Sequence, residues 1–581
     1  MFRTRRAIAS LIRALIVGTA LPTAALSSVV LVGCQDESQP EYWIEKLDDA
    51  SWRARSIKQL DQFYEDYSTR ANQAGDSPEL GQLVDKIVGP LTSTYVDQYD
   101  NLDEKTRQRL IKLLATMRDP RTEPALTKAI DEFAQKGRYG EDLKWAARAA
   151  ADMKLSSTAD EMIAAYGKLR ADSEEGAGWR DMMQSMSAMA DKSWTPKLVQ
   201  ALEAPLELPQ PGTQNKEKIS EFRNQQFWQT TAVQLLGTIG EPAGVEPLRK
   251  VVVEPTKAPL QADAVVSLVK IGKPAVARAT QLLQGQDAEL VKYAELKARK
   301  AAGSAVPLSD APHVRAAAIV LGTLGHASAA PALIAALEQE KSETNQAVLL
   351  RELTKLPTSP ELEQAFKAGY QRLEPDAVIP PGNPALAVLA EASTSFFDPE
   401  LVPWLLSEAA KAAKANGDEG TRSSLLVSAI KLMVPDQVAS VGAAVDKYGT
   451  ALEKGVFNEA AGVVKSCAKD AACYLDAATK AAKQGNKEQF IGIKAAYMVG
   501  VFGDEKVRDQ LVSGVDPISN MAVRFTAAKV IDHLSPAGST SVADELQKVV
   551  DANIKRGDGE KIAGDVPLKQ VIYRLRSRAS T

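Results

Sequence analysis

Four apolar positions recur along this chain at fixed spacing, and that recurrence limits the fold more than any other property. From Leu321, apolar residues follow at +3 (Leu324), +12 (Leu333) and +16 (Leu337), with Pro331 at +10. The same register fits Leu114, Met117, Leu126 and Ile130 with Pro124, and Met186, Met189, Leu198 and Leu202 with Pro196. It fits again at Leu236, Ile239, Leu248 and Val252, and at Val499, Phe502, Leu511 and Val515, with a weaker copy at Ala150, Met153, Met162 and Tyr166. On a helix, positions 0 and +3 share one face, as do +12 and +16 one turn apart. Each unit is therefore a helix, a polar turn such as Gly325-His326-Ala327-Ser328, and a second helix. Proline near the start of that second helix is tolerated because the first helical N–H has no partner in any case. Such a pair cannot hide its apolar surface alone, so neighbours must stack. The spacing predicts an all-α solenoid.

Composition agrees. Hydrophobic residues make up 45% of the 581, which rules out wholesale disorder, while aromatics are only 6%. Abundant Ala and Leu suit closely packed helices and suit a β-sandwich poorly. The formal charge is −4, but the first 33 residues hold four arginines (Arg3, Arg5, Arg6, Arg13) and no acids. The rest carries 66 basic against 74 acidic residues, near −8. A mildly acidic body without a basic stripe excludes general phosphate-backbone binding, so no nucleic-acid partner is expected. The one basic run, Lys569, Arg574, Arg576 and Arg578, reads as cations complementing the C-terminal end of a last helix.

Asp49 with Trp52-Arg53 and Leu60, and Asp103 with Thr106-Arg107 and Leu114, resemble the Asp…Arg…Leu pattern of HEAT repeats. Val523-Arg524 followed by Ile531 keeps the arginine-to-aliphatic spacing, and Val314-Arg315 with Leu321-Gly322 is similar to the bilin-lyase type of HEAT repeat, one residue short. The resemblance covers about residues 41–552, most strongly 100–340 and 488–552. It implies a right-handed superhelical stack of about twelve antiparallel helix pairs, with the arginine pairing an acid and tying successive repeats together. Interruptions mark loops: the Pro- and Gly-rich 205–218, a charged insertion at 286–311, and 374–384 (EPDAVIPPGNP). The last reads as a hinge dividing an N-terminal array, 41–373, from a C-terminal array with a capping helix, 385–581. IGKPAV, near 268–276, shortens a turn.

The N-terminus reads as an address. A basic segment precedes an uncharged apolar stretch from Ala14 to Gly33, ending in Leu31-Val32-Gly33-Cys34. This resembles the lipobox of bacterial lipoproteins. The resemblance implies a signal peptide at 1–33, lipid on Cys34, and a polar tether at 34–40, placing the body in the cell envelope facing the periplasm. Gln35 after the cysteine leans toward the outer membrane by analogy with enteric sorting. Twenty apolar residues also suffice to span a bilayer, so a transmembrane anchor is the competing reading.

The remaining cysteines, Cys467 and Cys473, form an even pair in an exported chain and are expected to bond. On one helix residues six apart rise about 9 Å, beyond the roughly 7 Å a disulfide spans. In the repeat register they flank a turn at +3 and +9, where the bond is feasible; two reduced thiols are the alternative. The three histidines, His313, His326 and His533, lie in separate repeats and suit surface or capping roles, so no metal site is expected. Gly237, Gly240 and Gly244 lie between helices and read as turn glycines, with no strand-to-helix phosphate loop. Trp43, Trp52, Trp145, Trp179 and Trp194 read mostly as repeat core. No catalytic residue, cofactor site or small-molecule substrate emerges. The expected function is a membrane-tethered scaffold that holds an unidentified protein or peptide partner. The alternatives are an enzyme or enzyme partner resembling bilin lyases, and a purely structural spacer.

Overall fold

The computed structural model describes residues 36–74, 78–138, 140–170, 178–207, 209, 212–303, 310–414, 418–516, 518–556 and 563–579. Cys34 and its lipobox lie outside the described residues. The described residues are predominantly helical, with twenty-nine α-helices among them, and the fold is an all-α solenoid. Two compact units divide between Thr94 and Tyr95. In the first, the helices Pro40–Glu45 and Arg53–Ala74 bury Trp43, Leu47, Ile57 and Leu60. Arg53, at the expected repeat position, is buried and donates from Nε to the Leu47 carbonyl at 2.8 Å and from Nη2 to that of Asp48 at 3.1 Å.

The second unit shows why the register works. Positions 0 and +12 are no more than 1% exposed in every copy, from Ala150 and Leu114 to Leu321, Leu333 and Leu511. At about 25 cal/mol per Å² of apolar surface, residues this deeply covered supply most of the drive for stacking. Position +3 varies: Leu324 and Met189 are buried, whereas Met117, Met153, Ile239 and Phe502 are only half-buried. That position falls in or just beyond the last helical turn, where the following turn covers it on one side.

Eight helices form one continuous layer in this unit: α1 (Ala258–Ile271), α2 (Pro312–Leu324), α3 (Glu343–Leu353), α4 (Ala385–Ala392), α5 (Glu419–Leu432), α6 (Gln489–Phe502), α7 (Met521–His533) and α8 (Val566–Ala579). Each packs on the next, and their partner helices form a second layer. Between α1 and its partner Lys273–Leu283 the shortened turn is a single residue, Gly272, at φ +80° and ψ −131°, a conformation that a side chain makes costly. Residues 374–384 lie inside the second unit, where Val378–Ile379 pairs antiparallel with Asn383–Pro384. This hairpin buries Ile379 and packs on α3.

Arginines tie successive repeats together. Arg107 Nε donates to Asp142, thirty-five residues on, at 2.6 Å in a buried pair that Tyr95 joins through its hydroxyl at 3.0 Å. Arg524 Nε donates to Asp565 at 2.9 Å, and Nη1 donates to the carbonyls of Val515 and Ile518. The acid of the sequence pattern is not the partner. Asp103 instead caps its own helix, accepting from the Thr106 N–H at 3.1 Å.

Candidate functional site

The end of the chain returns to its middle. Helix α8 packs on α7 and also on α1 and α2, so the stack closes upon itself. What holds the closure is a repeated device in which a cation from one repeat covers the C-terminal carbonyls of a helix in another. The last four carbonyls of any helix lack intrahelical partners, and their aligned dipoles favour positive charge. Arg578 Nε donates to the carbonyl of Gly325, the residue that ends α2, at 3.0 Å across 253 positions of sequence. Arg574 Nη2 donates to the Lys355 carbonyl just beyond α3. Lys494 of α6, fully buried, donates to the carbonyls of Lys431 at 3.0 Å and Met433 at 2.6 Å at the end of α5. Burial pushes its ammonium far below the usual lysine range. Lys257 does the same for Leu202 and Ala204, and Arg372 for Leu337.

The basic run at the C-terminus therefore acts at a distance. Arg574 and Arg578 serve the ends of α2 and α3 rather than the end of their own helix, because α8 lies across those ends. Both also pair with Asp532 of α7, at 3.2 and 3.1 Å. Arg576 faces outward to Asp544 at 2.9 Å. Gly325 is required twice: its φ is +62°, and a Cβ there would collide with the Arg574 guanidinium.

Two recesses lie on this framework. The first is a groove of about 610 Å³ between α1 and α2. Its walls are mainly apolar, with Val252, Val265, Val266 and Ile319 foremost; Gln261, Arg315 and Gln570 supply polar groups. Val266 and Ile319 each sit two residues before a fully buried anchor, Leu268 or Leu321, and are only partly buried. Arg315, expected to tie repeats, pairs among the described residues with Asp310, five positions before it, at 3.2 Å. The second recess, about 270 Å³, sits where α7 and α8 meet the segments after α3 and α4. Lys529, Asp532, His533, Arg574 and Arg578 line it, opposite Lys355, Ser395 and Phe397.

His533 is exposed at the end of α7, the surface position that its sequence context predicts, and its ring lies 4.6 Å from that of Phe397. His326 keeps a turn role, its Nδ1 2.7 Å from the Ser328 hydroxyl, while His313 is half-buried at the start of α2. Cys467 and Cys473 are joined by a disulfide, with Cα atoms 5.4 Å apart across the turn between the helices Ala451–Cys467 and Ala471–Lys483. Trp43 and Trp194 are core, whereas Trp52 and Trp145 are half-buried beneath Arg55 and Lys112. Gly237 lies inside the helix Lys216–Ile239, not in the turn; only Gly240 and Gly244 belong to the connection. Among the described residues, no group of three or more His, Cys, Asp or Glu side chains is placed to hold a metal ion. No helix among them is long and apolar enough to cross a membrane.

The PBS lyase HEAT-like repeat family matches residues 314–339, which span most of α2 and the helix Ala330–Gln339. No curated protein sequence matches the chain. Among solved structures it is similar to a mutant of Kap121p, at 11% identity over 92% of this chain and 68% of that one, with a TM-score of 0.32. It is similar also to Kap121p itself, at 10% identity over 94% and 76% with a TM-score of 0.26. SYS-1 matches at 11% identity over 93% and 98%, with a TM-score of 0.21. At residues 314–339, then, this all-α solenoid carries a HEAT-like repeat of the PBS lyase type.

Proposed function

We propose that this chain is a non-catalytic scaffold of the bacterial cell envelope, held to a membrane by lipid on Cys34 and facing the periplasm, that binds a protein or peptide partner. The observation that carries the reading is the groove between α1 and α2. Val266 and Ile319, from adjacent repeats, are partly exposed in a trough of about 610 Å³, with Gln261, Arg315 and Gln570 beside them. A trough of this kind accepts the apolar anchors of a helix or an extended segment, while polar groups at its edge fix orientation. The expected lipidation supports durable anchoring, because two or more acyl chains hold where one gives only reversible attachment.

Crosslinking in the native host followed by mass spectrometry tests the reading. A discrete partner should crosslink to peptides from 252–270 and 312–323, and the double variant Val266→Glu, Ile319→Glu should lose it while keeping its helical circular dichroism. A partner that the double variant retains in full refutes the groove. For the anchor, radiolabelled palmitate should enter the wild type and not Cys34→Ala; equal labelling ends the lipoprotein reading. A second reading, an enzyme or enzyme partner of bilin-lyase kind, is favoured by the family match at 314–339. A stable coloured adduct after incubation with tetrapyrroles would establish it in place of the scaffold.

A further inference from the structure

The recess at the closure combines three features that a structural clamp does not need. It is hollow, it is rich in cations, and it exists only when distant parts of the chain meet. Its walls come from the segment after α3 (Thr354–Thr358), the turn after α4 (Ser395, Phe397), the last turn of α7, and α8. Counting charge around it leaves an excess. Arg574 and Arg578 share one carboxylate, Asp532. Lys355 and Arg351 share another, Glu352. Lys529 adds a third positive charge, and its nearest polar partner is the Ser395 hydroxyl at 3.5 Å, the outer limit of a hydrogen bond. The nearby Glu391 is engaged by Lys431 at 3.2 Å. Lysine carries three donors, so the Lys529 ammonium, half-buried in the wall, has capacity left over.

The helix ends around the recess do not cancel this excess. Their carbonyls are already occupied: Gly325 and Lys355 by the two arginines, and Phe396 by the Thr358 hydroxyl at 3.1 Å. The positive field also reaches beyond the recess. His326 has its pKa lowered first by burial and then by the charge of Arg578. The hydroxyls of Ser395 and Thr358 supply further polar groups, and Phe397 with Pro357 forms an apolar floor.

We infer that this recess binds a small oxyanion, a phosphate or a short dicarboxylate, with Lys529 as its principal contact and Lys355 and the α8 arginines as its electrostatic surround. A ligand there bridges residues from 354 to 578 and stabilises the closed form over any state in which α7 and α8 have lifted away. The recess and the partner groove share no lining residue, although α8 contributes to both.

The test uses the full chain in mild detergent, with inorganic phosphate and succinate as probes and sodium chloride at matched ionic strength as control. One probe or both should bind saturably at one site per chain by calorimetry and raise the thermal midpoint beyond the chloride control. Lys529→Met should weaken binding at least tenfold, whereas Lys548→Met, at an exposed pair with Glu545, should leave it unchanged. In the wild type, the ligand should also slow modification of Lys529 by an amine reagent, read by peptide mass spectrometry; this arm holds even if the variant misfolds. Binding by phosphate alone or by succinate alone assigns the ligand class. Stabilisation no greater than that of chloride, or no protection of Lys529, overturns the inference.

Discussion

Replacing Gly237 with alanine separates two physical expectations that differ in sign. By helix propensity alone, alanine inside the helix Lys216–Ile239 should stabilise by about 1 kcal/mol. The packing argues otherwise. A Cβ at Gly237 would lie 2.6 Å from Ser267 Cβ and 2.7 Å from Ser267 Cα, on the neighbouring helix α1. Carbon atoms in contact prefer about 3.5–4.0 Å, so the helices would have to part by roughly 1 Å. The obstacle is backbone, which no rotamer change can move. Overpacking of this kind costs about 1–3 kcal/mol, leaving a net loss of roughly 0–2 kcal/mol after the propensity gain. Gly455 is the matched control: it lies in the helix Ala451–Cys467 with nothing within 4 Å of its missing Cβ, and alanine there should stabilise by about 1 kcal/mol. Long repeat arrays do not always unfold in one step. The measurement is therefore hydrogen exchange by mass spectrometry over 216–271, alongside urea unfolding of both variants. If Gly237→Ala stabilises as much as Gly455→Ala, the close approach of these helices is wrong.

Two further outcomes follow from the same coordinates. Asp532→Asn should leave Arg574 and Arg578 facing a neutral amide, cost about 2–3 kcal/mol, and accelerate exchange in 566–579 before other helices; unchanged exchange there refutes the clamp. Glu363 is raised to about 7 by burial and by its hydrogen bond with the Asp398 carboxyl. Its folded state thus holds a proton that the unfolded state has lost, so its stabilising contribution is full below about pH 4.5, declines through pH 7, and is flat above. Glu363→Gln should flatten that slope and gain about 1–2 kcal/mol at pH 8, the full shift being discounted for partial access of water to the carboxyl. A wild-type slope in the variant's unfolding midpoints between pH 5 and 8 counts against it.

The repeat was legible because its signal is local. A buried face needs apolar residues at helical spacing, and Leu114, Leu236 and Leu321 occupy that face as their spacing predicts. The linking role of Arg107 and Arg524 was legible through the HEAT pattern, but their partners were not. Which carboxylate meets Arg107 depends on how one helix pair is set against the next; Asp142, thirty-five residues on, is no more distinctive in sequence than Asp103. Gly237 was misplaced for a related reason: a glycine near a turn and a glycine under a crossing helix look the same until the crossing is known. The groove was hidden as well, since Val266 and Ile319 read as ordinary helix residues and owe their exposure to the gap between repeats.

Least legible of all was the closure, and it alters what kind of object the array is. An open solenoid has two free ends, and each repeat is stabilised only by its neighbours. Here Arg578 joins positions 253 residues apart, so the loop-closure cost is met once, while the cations of α8 cover carbonyls that would otherwise be left unpaired in the interior. That cost grows only with the logarithm of loop length, about 0.6 kcal/mol per doubling, so a few buried charge-assisted bonds offset the difference between a short span and this long one. The pieces that close the stack are therefore also the pieces that couple it. Whatever loosens α8 from Gly325 and Lys355 frees the contacts of α8 with α1, and α1 forms one wall of the groove. Binding at the recess and binding at the groove should then favour the same closed state, and each ligand should tighten the other by an equal factor.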